Sequence, residues 1–546
     1  MAVTVLSCPM TAPPTPAESA SGRGLPGELT LLIRDARIID GAGGPSRTGD
    51  IGIAGDRIVA VEESLSMPAR RVVDAAGRVA CPGFIDLHSH VDLLVETYPR
   101  ADGMLRQGAT TLVTGNCGLS PFPTRTGESG WSSLADFADA VRSLPLAVNI
   151  APLVGHGAIR SAAMSDPSAR ATSAELTKMA ALTEQAMRDG AHGLSTGLIY
   201  DPGRFSTTDE LVELASVVAR YGGFYASHIR GEEDTLVEAV DEALTIGRTA
   251  GLAVQLSHHK AKRRRNWGRV DKTLRMVDDA VDAGMDVMLD NYPYTASSTS
   301  LWAYLPRWAR KNDLLAIEGE LPGELRTRLI RGMEERFPGC SAVEPVATDL
   351  NDLVIAQIGA PCHYSQYEGM RLAEAALKAE MTQADFVIEL LLAGKAVQII
   401  DHAMSEQDML TVFAHPRCGV GSDARLIHPD IPGVPHPRNF GTFPRFISAV
   451  APGLMSLEKA VFKCTGLPAR RLGWTGRRGL LAPGLAADLL LFDPERLRDH
   501  STFDDPKNYS TGLDLVIVNG QIAIESDEDT SAAAGCVLLT ELAGDA

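Results

Sequence analysis

His88 and His90 stand two residues apart in "PGFIDLHSHVD". Residues at i and i+2 of an extended strand project to the same side, so the two imidazoles converge on one point, which suits a metal ion. Cys117 in "LVTGNCGLS" ends an apolar run on a bend, with Gly115 and Gly118 close on either side. A structural cysteine would sit inside the apolar run; one placed on the bend can aim its sulfur into a cavity. "YASHIRGE" carries His228 at the tip of another run, "QLSHHK" offers His258 and His259, and "GVGSDARL" carries Asp423. Strand alternation lets only one of the two adjacent histidines face inward, and we take His258. A thiolate with two imidazoles is a common catalytic zinc set, three protein ligands and one open position. The soft sulfur favours zinc over magnesium or calcium. Cys81, Cys340, Cys362, Cys418, Cys464 and Cys536 lack convergent partners and read as structural.

These groups have to be delivered to one place from separate strands. Apolar runs occur around residues 84–87, 110–114, 147–154, 193–198, 224–228, 253–258, 286–290 and 418–423, with helical segments between them. Thr172-x-x-Glu175 and Thr207-x-x-Glu210 read as capping boxes opening two of those helices, which end before Gly190 and at Gly222-Gly223. Eight β-runs spaced by helices predict an α/β fold, a (β/α)8 TIM barrel, whose active site forms at the C-terminal ends of the strands. The candidate ligands all fall at such ends. No GxGxxG fingerprint follows the first strand, which argues against an open doubly wound sheet.

Around the barrel, composition divides the chain. Residues 1–27 read as a disordered Pro/Ala/Ser/Thr leader, without the basic start of a signal peptide. Residues 28–80 and 475–546 share a texture of short strands and Gly/Asp turns. They are expected to pair into one small β-sandwich domain, with the barrel spanning 81–474. An Arg/Glu-rich stretch at about 299–381 breaks the rhythm and reads as an insertion before the last barrel strand. The basic run "KAKRRRNWGR" reads as a mobile loop after the sixth strand, at the rim.

The whole chain has 546 residues, 45% of them hydrophobic, and a formal net charge of -18. That balance suits a large enzyme core and excludes nucleic acid as a partner, because a binder needs a basic face. No apolar run is long enough to cross a bilayer, so no membrane partner is expected. Eight cysteines without CxxC spacing fit a reduced cytoplasm. The oligomeric state is left open.

Together "PGFIDLHSHVD", "GATTLVTGNCG", "YASHIRGE", "LSHHKA", "YPYTASST", "GSDARLIHPDIPGVPHPRNFGTFPR" and "PGLAADLLLFDP" resemble the amidohydrolase superfamily, and within it the D-aminoacylases, or N-acyl-D-amino-acid deacylases. The resemblance runs from about Leu29 to Asp505, and the Asn-Cys-Gly turn marks this branch. It implies a tightly bound zinc on Cys117, His228 and His258, and a second, weaker metal position on His88, His90 and Asp423. Asp423 also matches the general base. Tyr200, Lys260, Tyr292, Ser298 and Arg438 match substrate-contacting positions, with Ser297 and Arg445 as alternatives for the last two. The implied reaction is hydrolysis of the linear amide of an N-acyl-D-amino acid, a small-molecule substrate. Two rival readings are a cyclic-amide hydrolase of the dihydropyrimidinase or dihydroorotase kind and a non-catalytic scaffold on the same fold. The first is disfavoured because the fourth run, "GAHGLSTGLIYDPG", lacks the lysine that such enzymes carboxylate. The second is disfavoured because every ligand is kept. The family pattern carries a glycine after the aspartate. Here "SDARLIHPD" stands instead, so Arg425 and His428 are expected to reshape the pocket rim. With one assured cation for a substrate carboxylate, Lys260 or Arg438, the expectation leans towards neutral D-substrates.

Overall fold

Why the apolar runs become barrel strands is visible in what they bury. The computed structural model describes residues 27–125, 130–306, 308–309, 311–315, 317, 321–343, 346–425 and 428–541; the leader read over 1–27 lies outside these except for Gly27. The strands Phe84–Asp86, Ala109–Thr114, Asn149–Pro152 (continued by Val154–Gly155), Gly193–Gly197, Phe224–His228, Ala253–Leu256, Val287–Asn291 and Cys418–Val420 pair in parallel, each with the next. Nearly every side chain on them is buried, as expected when helices cover the outside and side chains fill the inside. The ring closes between its last and first strands, where Asp423 N–H donates to the His88 carbonyl at 2.7 Å and His90 N–H to the Ala424 carbonyl at 2.8 Å. The end of the chain joins the third strand: Ile150 N–H donates to the Cys536 carbonyl at 2.9 Å.

The outer helices begin where their caps lie. Thr172 and Glu175 form the full reciprocal box at the start of Ser173–Arg188. Thr207 accepts from the Glu210 N–H at the start of Thr208–Ala219, but the Glu210 side chain does not return to Thr207. It turns inward to Arg160 and to His156, the latter at 2.8 Å, because an otherwise unpaired buried guanidinium outweighs a cap worth about 1 kcal/mol.

The two chain ends build one sheet of nine strands. Along it run, in order, Glu528–Asp529, Gln521–Glu525, Leu513–Val518, Leu489–Phe492, Val79–Pro82, Leu31–Ile38, Arg47–Ala54 and Arg57–Glu62, with Val72–Asp74 paired to Leu31–Ile38. The sheet curls until Arg57 bridges Ala486, so the two layers expected of a sandwich are faces of a single continuous sheet. Alternation along Leu489–Phe492 does two jobs. Leu489 and Leu491 enter the core of this domain, whereas Leu490 and Phe492 enter the barrel core. Each fully buried side chain of this kind contributes about 1.5–3 kcal/mol. Val79–Pro82 then leads through Gly83 into the first barrel strand, so the small domain anchors the strand that carries the paired histidines.

The insertion has a core of its own, around Leu329, Phe337, Leu353, Phe386 and Ile399. Its antiparallel sheet is ordered Ser297–Ser300, Val397–Asp401, Leu353–Ile358. Regular structure therefore extends past position 381 to Asp401, because the central strand of this sheet comes last in the chain. The basic run after the sixth strand is not a mobile rim. Lys262 and Arg263 are buried, and both pair with Asp401. Arg263 makes a two-pronged contact at 2.9 and 3.0 Å, and Lys262 Nζ lies 2.7 Å from Oδ2. A buried carboxylate 138 residues further on locks this loop to the insertion.

Candidate metal centre

Cys117 sits at the hub. Gly115 and Gly118 both have φ of +73°, and the turn between them passes close to neighbouring backbone. A Cβ on Gly115 would stand 2.0 Å from the Leu153 carbonyl oxygen, and one on Gly118 2.9 Å from the Gly197 nitrogen. Ser195, on the fourth strand, clamps both ends of the turn: its hydroxyl accepts from Gly118 N–H at 2.9 Å and donates to the Gly115 carbonyl. Cys117, His258 and Asp423 themselves have φ of +52°, +34° and +50°. A non-glycine residue held in such a conformation stores about 1–3 kcal/mol, and such positions cluster at functional sites.

Six side chains meet there in two groups sharing the sulfur: Cys117 with His228 and His258, and Cys117 with His88, His90 and Asp423. All are buried. From Cys117 Sγ, His228 Nδ1 lies at 3.7 Å and His258 Nε2 at 3.6 Å. Zn–S of about 2.3 Å and Zn–N of about 2.0–2.1 Å around a tetrahedron require S···N edges of about 3.6 Å, so the first group fits zinc. In the second group, His90 Nε2 is 3.2 Å and His88 Nε2 3.7 Å from Asp423 Oδ1, and His88 Nε2 is 3.2 Å from Sγ.

The electrostatics match that use. Burial would raise the Cys117 pKa, but His88, His228 and His258 together hold it well below the usual thiol range, favouring the thiolate that binds metal. Burial would likewise raise Asp423, yet Arg438, His90, His258 and His88 keep it well below the usual carboxylate range. Carboxylates stand behind the imidazoles, as is usual for metal-binding histidines. Asp290 Oδ1 lies 3.4 Å from His88 Nδ1 and also accepts the backbone N–H of His258 at 2.7 Å. Glu232 Oε1 lies 3.2 Å from His258 Nδ1 and 3.8 Å from His228 Nε2.

Three of the six donors, Cys117, His90 and Asp423, line a cavity of about 320 Å³, together with Tyr200, Ser298 and Arg438. Trp302, Ala396 and Gln398 of the insertion cover it. Tyr200 is tied to that cover through its hydroxyl and Thr299 Oγ1, 2.9 Å apart. Arg438 Nη1 stands 2.8 Å from Asp423 Oδ2, and its guanidinium lies 4.8 Å above the Tyr292 ring. Lys260 and Tyr292 are not in the lining. Lys260 lies behind His258, paired to Glu232 and 2.9 Å from His258 Nδ1. Ser297 and Arg445 do not line the cavity either; Arg445 donates to the Pro293 carbonyl at 2.8 Å. His259 points away, to Thr273 Oγ1 at 2.8 Å. Of the two rim residues, Arg425 lines the cavity, while His428 stacks on Tyr98 with ring centres 5.4 Å apart.

Ser195, Glu232 and Asp290 are absent from the sequence reading. Asp290 had a signal, since it is a carboxylate near the C-terminal end of a barrel strand. Glu232 follows His228 by four residues in a loop, and no periodicity links a loop residue to a strand tip.

The amidohydrolase family model matches residues 71–316 and 414–524, leaving out most of the insertion. The D-aminoacylase of Alcaligenes xylosoxydans xylosoxydans is 36% identical over 523 residues, covering 93% of this chain and 97% of that protein. The N-acyl-D-glutamate deacylase of the same organism is 37% identical over 509 residues, covering 90% and 93%. Among solved structures, the N-acyl-D-glutamate deacylase of Bordetella bronchiseptica, complexed with zinc and a phosphonate inhibitor that mimics the tetrahedral intermediate, superposes with a TM-score of 0.80. It is 34% identical, covering 94% of this chain and all of that one. With a cysteine-centred group of candidate metal ligands at the strand ends and relatedness over almost its entire length, the chain belongs to the amidohydrolase family, in the D-aminoacylase branch.

Proposed function

We propose that this chain is a zinc-dependent N-acyl-D-amino-acid deacylase, cleaving a linear amide to release a carboxylate and a free D-amino acid. The observation that carries this is the grouping of Cys117, His228 and His258 at zinc-compatible S···N spacings, with Cys117 and Asp423 lining one cavity. Relatives over nearly the full length act on N-acyl-D-amino acids by name, and the handedness rests on them.

Zinc, when bound, lowers the pKa of water and polarises the acyl carbonyl. The chain's own residues do the rest. Asp423 accepts the proton of the attacking water and returns it to the departing nitrogen, one positioned group serving as base and then acid. Arg438 keeps Asp423 ionised and faces the cavity, where its guanidinium can grip the substrate α-carboxylate. Tyr200 lines the cavity and is within reach of the substrate there. Glu232 and Asp290 fix the imidazole orientations, with Lys260 holding Glu232. His88, His90 and Asp423 offer a second, weaker metal position.

Cyclic-amide chemistry of the dihydropyrimidinase type is disfavoured on the fourth strand, Gly193–Gly197, where Ser195 is occupied in clamping the Cys117 turn. All cysteines among the described residues are free, which supports a reducing, cytoplasmic setting. No described helix is long and apolar enough to cross a membrane. Release of amine from N-acetyl-D-amino acids, their L-isomers and dihydrouracil tests the reading: the D-series should be cleaved and the other two left intact. Equal rates on both enantiomers, or turnover of dihydrouracil alone, would refute it.

A further inference from the structure

The cations around the cavity differ in what already neutralises them. Arg438 faces Asp423 at 2.8 Å, Arg204 is paired with Asp201, and Lys260 with Glu232. Arg425 lines the same cavity, and its guanidinium has no ion pair, side-chain hydrogen bond or ring contact among the described residues. Its place is fixed from the backbone: Arg425 N–H donates to Asn439 Oδ1 at 2.8 Å, and the preceding Ala424 bridges Ser89 of the first strand. It shares the cavity wall with Tyr200, Asp423 and Arg438. A largely enclosed charge without a partner is costly, so this position calls for an anion supplied by what enters the cavity.

Resting on the deacylase reading above, we infer that Arg425 selects a second carboxylate on the substrate, making N-acyl derivatives of acidic D-amino acids, D-glutamate or D-aspartate, the preferred class. Arg438 lines the cavity beside the Asp423 carboxylate and is assigned to the α-carboxylate. Arg425 is then left for the side chain, and its planar fork can hold a carboxylate through two parallel bonds. This reverses the lean towards neutral substrates drawn from sequence, because the structure supplies a second cation where "SDAR" departs from the family pattern.

The test is kcat/KM on N-acetyl-D-glutamate, N-acetyl-D-aspartate and N-acetyl-D-methionine for the zinc-loaded enzyme and its Arg425→Met and Arg425→Lys variants. The wild-type enzyme should favour the better acidic substrate over D-methionine. In Arg425→Met that ratio should fall at least about 10-fold, the size of a charge-assisted hydrogen bond, with Arg425→Lys between the two. Zinc content of each variant reports whether the site is intact, and Arg425→Lys carries the comparison if Arg425→Met does not fold. A wild-type preference for D-methionine, or a ratio unmoved by both substitutions, would overturn the inference while leaving the deacylase assignment standing. Parallel loss on acidic and neutral substrates would also overturn it, placing Arg425 on the α-carboxylate. No turnover of any N-acyl-D-amino acid would remove the reaction assignment and this inference together.

Discussion

Cys117 is the anionic member of its three-donor group, and its sulfur is common to both groups of candidate ligands. Three imidazoles favour its thiolate against the burial that opposes it. Replacing it with alanine removes the one soft donor and should abolish tight zinc and turnover together, while the far-ultraviolet circular dichroism stays that of the folded protein. A stoichiometric zinc with full activity in Cys117→Ala would contradict the assignment. Asp423 has a different part. Its carboxylate lies with His88 and His90 rather than in the Cys117, His228, His258 group. Asp423→Ala should therefore keep the tight zinc and lose at least about 10²-fold in kcat, a usual acid–base contribution. If metal analysis shows zinc leaving with the carboxylate, Asp423 is a primary ligand. The convergence of these six candidate donors was legible in the sequence because barrel geometry sends strand tips to one place, so position along a run substitutes for knowledge of contacts. For Lys260, alternation gives the side of a strand, but it cannot show that Glu232 from a neighbouring loop pairs with the ammonium.

At the scale of elements, the insertion roofs the cavity and is tied down by Asp401, which is fully buried with Lys262 and Arg263. Removing one member of such a cluster leaves uncompensated buried charge and costs about 3–5 kcal/mol. Asp401→Ala should lose stability by that amount in urea unfolding and loosen the roof, raising KM more than it lowers kcat. Burial would raise the Asp401 pKa, but Lys262 and Arg263 outweigh it and the folded-state value is depressed. Its stabilising contribution is then present above the unfolded value of about 3.9 and is lost as pH falls through the lower folded value. The wild-type and Asp401→Ala unfolding midpoints should converge on strong acidification, and a gap independent of pH would contradict this pairing. The sequence pointed to an insertion but not to its end, since an antiparallel sheet whose middle strand comes last has no local mark, and a loop of four consecutive basic residues reads as solvated until its distant carboxylate is seen.

For the whole molecule, two chain ends form a curled sheet that fixes the first barrel strand, the barrel gathers six donors, and the insertion closes the space above them. Barrel and end domain were readable from periodicity and turn residues; the curl of the sheet was not, because it depends on pairing between strands more than 400 residues apart, such as Ala80 with Leu491. The central claim is that one zinc on Cys117, His228 and His258 supports cleavage of N-acyl-D-amino acids. Its most direct test is to strip the metal with a chelator and titrate zinc back while following amine release from N-acetyl-D-glutamate and N-acetyl-D-methionine, with the L-isomers alongside. The metal-free enzyme should be inactive, D-isomer turnover should rise to a plateau at one zinc per chain, and the L-isomers should stay uncleaved throughout. Full turnover by enzyme with no detectable metal would contradict the account.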